Sequence, residues 1–269
     1  MTTKRLPRGL ALLLLPVAGC IGKRLPPSVW PPPNFLLVVE ETELDGGSVH
    51  VVRRFRVDAR GLVVYGTSLR PLVDKATGTS LPVFDRLSIY RLEPKCVRGL
   101  ARRLDRLDIP EIVVEELPAN GTGVGLTISY RAFAADVILP AAGRLRGEVA
   151  EIVALVTEHL PPGEQFGIGV NRAIKPVLRG VPMPATGAAP ALAAYRALIA
   201  EAGDEADPDL VLDAFALACR IGARAVAEHL LDRWQALMAG RRRSGFEDDP
   251  SAAPTLRAEL LRTFLPPGG

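Results

Sequence analysis

The side chains best suited to catalysis or metal binding are few in this chain and widely spaced. The histidines and cysteines are His50, His159, His229, Cys20, Cys96 and Cys219. Metal ligands and redox thiols often recur at short spacings, as in a His-Glu-x-x-His helix or a Cys-x-x-Cys pair, and neither pattern occurs here. A Gly-x-Ser-x-Gly nucleophile elbow is also missing from the sequence. We therefore predict no catalytic, cofactor-binding or metal-binding residues from motifs, and any such site would have to be assembled by the fold.

Two groups of basic residues are candidates for binding an anion. Strand alternation predicts that His50 shares one face with Arg54 and Arg56. On a predicted helix, arginines recur at every fourth position from Arg98 to Arg106, which would form a basic stripe. The alternative for both groups is an ordinary solvent-exposed face of a sheet or of an amphipathic helix. We favour the exposed-face interpretation for both groups, and on the helix an apolar stripe on the opposite side supports it.

Paired carboxylates could serve glycoside hydrolysis, which uses one carboxylic acid and one carboxylate. The candidates are Glu40, Glu41, Glu43, Asp45, Glu115 and Glu116. They lie beside predicted hairpin turns, where acidic side chains are usually solvated. The glycine-rich segment Gly121–Gly125 lacks the Lys-Ser/Thr that ends a phosphate-binding loop, so we predict a hairpin loop there.

The N-terminal segment carries the clearest signal in the sequence. Three basic residues between Lys4 and Arg8 precede an apolar run from Leu10 to Ala18, and Val17-Ala18-Gly19-Cys20 follows. This order is typical of a secretory signal, and the run is too short to cross a bilayer as a helix. The four residues ending at Cys20 resemble the lipobox of bacterial lipoproteins, with residues 1–19 as the signal peptide. The alternative is an ordinary cleavable signal with an incidental cysteine.

The resemblance implies that Cys20 is the lipidation site and the first residue of the mature protein. Its acyl chains, such as palmitate, would insert in membrane lipid, and two or more chains give stable anchoring. Residues 20–34 contain five prolines and are predicted to form an extended tether. In enterobacterial lipoproteins an Asp after the cysteine retains the protein in the inner membrane. Here Ile21 and Gly22 follow, which implies the outer membrane if the source cell has one.

The charge distribution argues against nucleic-acid binding. The formal net charge of the whole chain is +3. Five basic and no acidic residues precede Phe35, whereas the chain from Phe35 onward carries 28 basic and 30 acidic residues. Proteins that bind nucleic acids usually carry a basic field, because phosphate neutralisation supplies much of the affinity. We therefore expect no nucleic-acid partner.

Residues 35–165 are predicted to form an α+β domain. Alternating apolar residues indicate several antiparallel strands, then a helix introduced by Pro94, further strands and a second helix between Leu145 and Leu160. This order is typical of a helix-backed antiparallel sheet. Its element order and the strict alternation from Val124 to Tyr130 loosely resemble small α+β domains of unknown function in bacterial lipoproteins. That resemblance implies no active site.

The C-terminal part is predicted to be helical. Residues 166–189 are rich in Gly and Pro and are predicted to be a linker, and residues 190–269 to be a small all-helical hairpin region. Asp207-Pro208 is typical of an N-cap followed by proline in the first turn. We expect this region to dock on the sheet or on a partner. Cys96 and Cys219 could form a disulfide or remain free.

The sequence thus predicts a membrane-anchored lipoprotein that acts as a non-enzymatic binding or structural module of the cell envelope. Its expected partners are membrane lipid, through acylated Cys20, and an envelope protein or cell-wall polymer. The alternative is an envelope hydrolase whose site is assembled from distant residues. A cleft in which His50 or paired carboxylates meet a nucleophile would favour the hydrolase.

Overall fold

The structure is a computed structural model that describes most of the chain after Trp30. The described residues are 31–45, 48–68, 70–73, 80–109, 112, 124–132, 135–142, 147–167, 183–241 and 252–265. The predicted signal peptide, the lipidation site at Cys20 and most of the tether lie outside them. Glu115, Glu116 and most of the glycine-rich hairpin loop lie outside them as well.

Seven strands form one antiparallel sheet in the order β8-β7-β1-β2-β3-β6-β9. They are β1 (Leu36–Asp45), β2 (Ser48–Asp58), β3 (Leu62–Thr67), β6 (Arg86–Arg91), β7 (Val124–Ala132), β8 (Ala135–Ala142) and β9 (Met183–Thr186). Two short strands, β4 (Leu72–Val73) and β5 (Ser80–Leu81), form a separate ladder. The long hairpin β1–β2 occupies the middle of the sheet. Its alternating apolar residues Leu37, Val39, Phe55 and Val57 are buried on one face.

Six α-helices accompany the sheet in the described ranges. They are α1 (Pro94–Asp105), α2 (Gly147–Thr157), α3 (Ala188–Ala202), α4 (Pro208–Arg220), α5 (Arg224–Arg241) and α6 (Ala252–Phe264), with a short 3-10 turn at Gly203–Glu205. Helix α4 begins as the sequence predicts: the side chain of Asp207 accepts a hydrogen bond from the Asp209 backbone N–H at 2.9 Å, and Pro208 occupies the first turn.

The helices cover both faces of the sheet. Val64 and Leu87 point to one face and pack in a common core with the apolar residues of α3, α4, α5 and α6. On the opposite face, the Tyr90 hydroxyl donates a hydrogen bond to the carbonyl of His159 just after α2, and Arg103 of α1 pairs with Glu158. The fold is therefore α+β, a helix-backed antiparallel sheet followed by a helical C-terminal region, as the sequence predicted.

A β-bulge places His50 on the opposite face of the sheet from the one predicted. The register between β1 and β2 shifts, so that Arg53 pairs with Glu41 but Val51 pairs with Thr42. One extra residue on β2 reverses the alternation on either side of it. Val51 consequently packs against the core under the C-terminal helices, and His50 does not share the face of the arginines that follow the bulge. The predicted trio of His50, Arg54 and Arg56 is wrong. The exposed face favoured for it is also wrong for Arg54 and Arg56, which are largely buried in ion pairs with Asp213 and Asp207.

The ends of the predicted segments are more ordered than a tether and a linker would be. At the end of the predicted tether, Pro32 is buried and its carbonyl accepts a hydrogen bond from the Phe35 N–H at 2.9 Å. Within residues 166–189, strand β9 pairs with β6 and adds the edge strand of the sheet. The described residues from Pro31 onward belong to one compact unit. The C-terminal helices are docked on the sheet, one of the two placements that the sequence left open.

Candidate functional site

A cleft lies where the C-terminal helices meet one end of the sheet. Its volume is about 300 Å³, and we call it the sheet–helix cleft. One wall consists of strand ends and carries Leu36, Arg56, Arg60, Arg91 and Arg131. The other wall consists of α3, the 3-10 turn and the start of α4, and carries Leu198, Glu201, Glu205, Asp207 and Leu210. The lining also includes Pro33 and Asn34, where the predicted tether ends.

The sheet register brings the arginines of this wall together. Arg131 pairs with Leu36 at the end of β7, and Arg91 pairs with Leu62 at the end of β6. Arg56 lies near the end of β2, and Arg60 follows in the turn to β3. All four therefore lie at the end of the sheet where β1 begins. Sequence alternation predicted an outward face only for Arg56, because the other three depend on pairings between strands distant in the chain.

Three ion pairs cross the cleft from the sheet wall to the helix wall. Arg56 pairs with Asp207, Arg60 with Glu205, and Arg91 with Glu201 at 2.7 Å. The Arg56–Asp207 pair is largely buried, with side-chain exposures of 9% and 14%. The other two pairs are open to solvent, with exposures between 49% and 71%. The sheet wall thus presents guanidinium groups and the helix wall presents carboxylates.

A buried polar network lies beside the cleft and joins β1, β2, α3 and α4. The Arg54 Nη1 donates to both carboxylate oxygens of Asp213 at 2.7 and 2.8 Å, and its Nε donates to Glu40 at 2.6 Å. The Tyr195 hydroxyl on α3 donates to Asp213 at 3.2 Å. The guanidinium carbon of Arg54 is 4.7 Å from the ring centroid of Phe84, a cation–π distance. This network links β2 to α3 and α4.

Burial shifts the pKa values of the ionisable groups in this network. It raises the pKa of Asp213 to about 6, because the cost of desolvating the carboxylate exceeds the opposing attraction of Arg54. Burial alone would lower the pKa of Arg54, but the charges of Asp213 and Glu40 raise it above its ordinary value. Burial, with the nearby Asp213 carboxylate, also raises the pKa of Tyr195. At neutral pH the Asp213 carboxyl is therefore mostly ionised where it faces the Arg54 guanidinium.

A second groove continues from the cleft over β1, β7 and β8. The two share Leu36, Arg56, Arg131 and Leu210, and the second has a volume of about 210 Å³. Its far side is formed by Ile138, whose side chain is 67% exposed. The start of α4 contributes Asp209 and Leu210 to this groove, which is therefore continuous with the cleft.

The predicted carboxylates on β1 lie on two faces of the sheet. Glu40 lines the second groove and pairs with Arg54. Glu41 is buried on the other face, where it accepts hydrogen bonds from Arg53 at 2.5 Å and from the Gly167 N–H at 2.7 Å. Each is held by a neighbouring cation, and they do not form a pair facing one cleft. Glu43 pairs with His50 in the strand register.

The remaining predicted residues lie away from the cleft. His50 does not line it, and its Nδ1 is buried without a hydrogen-bond partner among the described residues. His159 is also buried, which lowers its pKa, whereas His229 is exposed on α5. Cys96 and Cys219 are free thiols, and burial raises the pKa of Cys219 to about 12.

The arginine stripe on α1 is exposed to solvent, which is the interpretation that we favoured from the sequence. Arg98, Arg102 and Arg106 are exposed, while Val97 and Leu104 on the opposite side are buried. Among the residues that the structure describes, no group of His, Cys, Asp and Glu side chains is arranged to hold a metal ion. Nor is any helix in the described ranges long and apolar enough to span a bilayer.

Comparison with known proteins assigns no family to this chain. No protein-family model, curated protein or solved structure matches this chain.

Proposed function

We propose that this protein is a membrane-anchored lipoprotein of the cell envelope whose folded body is a non-enzymatic binding module. The anchor is acylated Cys20, and the sheet–helix cleft is the binding site. The observation that supports binding is the cleft itself, in which charged side chains from distant parts of the chain surround an open volume of about 300 Å³. Ligand sites commonly combine a concave surface with a few convergent polar groups.

The order of the chain supports the anchored arrangement. The lipobox-like residues precede a proline-rich segment, and the folded body begins at Pro31, with Pro33 and Asn34 among the residues that line the cleft. A lipid anchor at Cys20 would therefore be joined to the body at the side of its binding site. Ile21 and Gly22 after the cysteine favour the outer membrane in a source cell that has one. The partner is an envelope protein or a cell-wall polymer.

The anchor is tested by metabolic labelling of the full chain with an alkyne fatty acid. We expect label on the wild-type protein and none on Cys20→Ser, which should also accumulate as the unprocessed precursor. Cys96→Ser is the matched control and should label like the wild type. Continued labelling of Cys20→Ser would contradict the lipoprotein proposal.

Binding is tested by mild crosslinking in the source cells, followed by affinity capture and mass spectrometry. We expect one envelope component to be enriched with the wild type and depleted with Cys20→Ser. A variant with both Arg91→Gln and Glu201→Gln, which removes one exposed pair from the cleft, should recover less of that component. Equal recovery from the wild type and the cleft variant would contradict the assignment of the binding site.

A further inference from the structure

The two walls of the sheet–helix cleft carry opposite charges. Arginines supply the charge on the sheet wall, apart from Asp58, whose Oδ1 accepts hydrogen bonds from the backbone N–H groups of Arg60 and Leu62. The helix wall carries only acidic charged residues, Glu201, Glu205 and Asp207. The lining is therefore close to neutral as a whole but strongly dipolar from one wall to the other.

The outer ion pairs of the cleft are the ones that a ligand would replace. Arg60 and Glu205 are 65% and 71% exposed, and Arg91 and Glu201 are 49% and 65% exposed. Ion pairs this exposed contribute little to stability, because water competes for both charges. They can open at little cost to the fold. The largely buried pair of Arg56 and Asp207 stays closed behind them and supports both walls.

The dipolar lining selects among ligand charges. A simple anion would be attracted by the arginine wall but repelled by the facing carboxylates, and a simple cation would meet the reverse situation. A ligand with both charges satisfies each wall and replaces both halves of an opened ion pair. Leu36, Leu198 and Leu210 offer apolar contacts for the uncharged part between its ends.

From this arrangement we propose that the cleft binds a short zwitterionic peptide. Its carboxylate lies against Arg91 and Arg60, and its ammonium group lies against Glu201 and Glu205. The volume of about 300 Å³ is at the lower limit of ordinary ligand sites and suits about three small residues. The inference rests on the proposed function, since it names the ligand class of the same cleft.

The test is calorimetric titration of the full chain, in non-ionic detergent, with three forms of trialanine. Free trialanine carries both charges, N-acetyl-trialanine only the negative charge, and trialanine amide only the positive one. We expect free trialanine to bind and each blocked form to bind at least tenfold more weakly. Absence of binding by free trialanine, or equal binding of all three forms, would overturn the proposal.

Two variants test which wall of the cleft contacts each charged end of the peptide. Arg91→Gln should reduce the tenfold preference of trialanine over its amide, because only Arg60 then faces the peptide carboxylate. Glu201→Gln should reduce the preference of trialanine over its acetylated form, because only Glu205 then faces the peptide amine. Arg103→Gln, which removes a partly exposed pair with Glu158 outside the cleft, is the control and should keep both preferences. Retention of both preferences by the two cleft variants would overturn the proposed orientation.

These outcomes separate the ligand class from the proposed function. If cellular capture still depends on Cys20 and on the cleft while the three peptides do not differ, the zwitterionic ligand is wrong and the binding module stands. If the peptides discriminate as expected but the fatty-acid label persists in Cys20→Ser, the ligand class stands and the anchor is wrong.

Discussion

Replacement of Arg54 by leucine should be the most damaging single change in the polar network. The substitution removes three hydrogen bonds and leaves Asp213, whose side chain is 5% exposed, and Glu40 without their shared cation. Breaking a buried ion pair from one side costs about 3–5 kcal/mol, because a desolvated charge is left behind. For a chain of this size, that loss lowers Tm by roughly 6 °C or more.

The assay is thermal unfolding of the full chain in non-ionic detergent, followed by circular dichroism at pH 7.5 and pH 5.0. Without Arg54, burial is no longer opposed, so the folded-state pKa of Asp213 rises above its value of about 6 in the wild type. A folded pKa above the unfolded one adds stability as the pH falls through the folded pKa. The deficit of Arg54→Leu should therefore be smaller at pH 5.0 than at pH 7.5.

Two controls make the prediction specific. Arg60→Leu removes an exposed pair with Glu205 and should change stability by less than about 1 kcal/mol. The double variant Arg54→Leu with Asp213→Leu removes both members of the central pair and should recover most of the lost stability, as apolar replacement of buried pairs often does. If Arg54→Leu were as stable as Arg60→Leu, or if its deficit grew at pH 5.0, the reasoning would be refuted.

Three further substitutions test the packing at Gly66, the pKa of Asp213 and the helix cap at Asp207. Gly66→Ala should lower the unfolding free energy by about 1–3 kcal/mol, because the added Cβ would lie 2.8 Å from the Phe84 ring. Thermal unfolding measures this, and wild-type stability would contradict the close packing of Phe84 on Gly66. As the pH falls from above 6 toward 3.8, protonation of Asp213 should raise the unfolding free energy of the wild type by up to about 3 kcal/mol. Asp213→Asn should lack this rise, and an unchanged pH profile would contradict the raised pKa of Asp213. Asp207→Ala and Asp207→Asn both lose the largely buried pair with Arg56, but only Asp207→Ala also loses the helix cap. Asp207→Ala should therefore be less stable than Asp207→Asn by about 1 kcal/mol, and equal losses would contradict the capping role.

Local patterns predicted much of the fold. Apolar alternation identified the β1–β2 hairpin, and Asp207-Pro208 marked the start of α4 because a cap and a first-turn proline depend only on adjacent residues. The arginine stripe on α1 was assigned to the exposed face because the apolar residues repeat on the other side. These features follow from backbone geometry within a few residues, so they do not require knowledge of the tertiary structure.

The cleft could not be predicted in the same way. Its ion pairs join residues that are more than a hundred positions apart, such as Arg56 with Asp207 and Arg91 with Glu201. The β-bulge that moves His50 to the other face depends on a register shift between two strands, which alternation alone does not reveal. Strand β9 was missed because its four residues, with a proline among them, do not alternate clearly within a segment rich in Gly and Pro.

The measurement that tests the proposed function most directly is site-specific photo-crosslinking in the source cells. A benzophenone amino acid replaces Ala59, which lines the cleft, or Arg98, which is exposed on α1 outside it. We predict that position 59 yields one reproducible envelope adduct that is lost with Cys20→Ser, and that position 98 does not. The same adduct from both positions, or none from position 59, would contradict the claim that this cleft is the binding site of an anchored module.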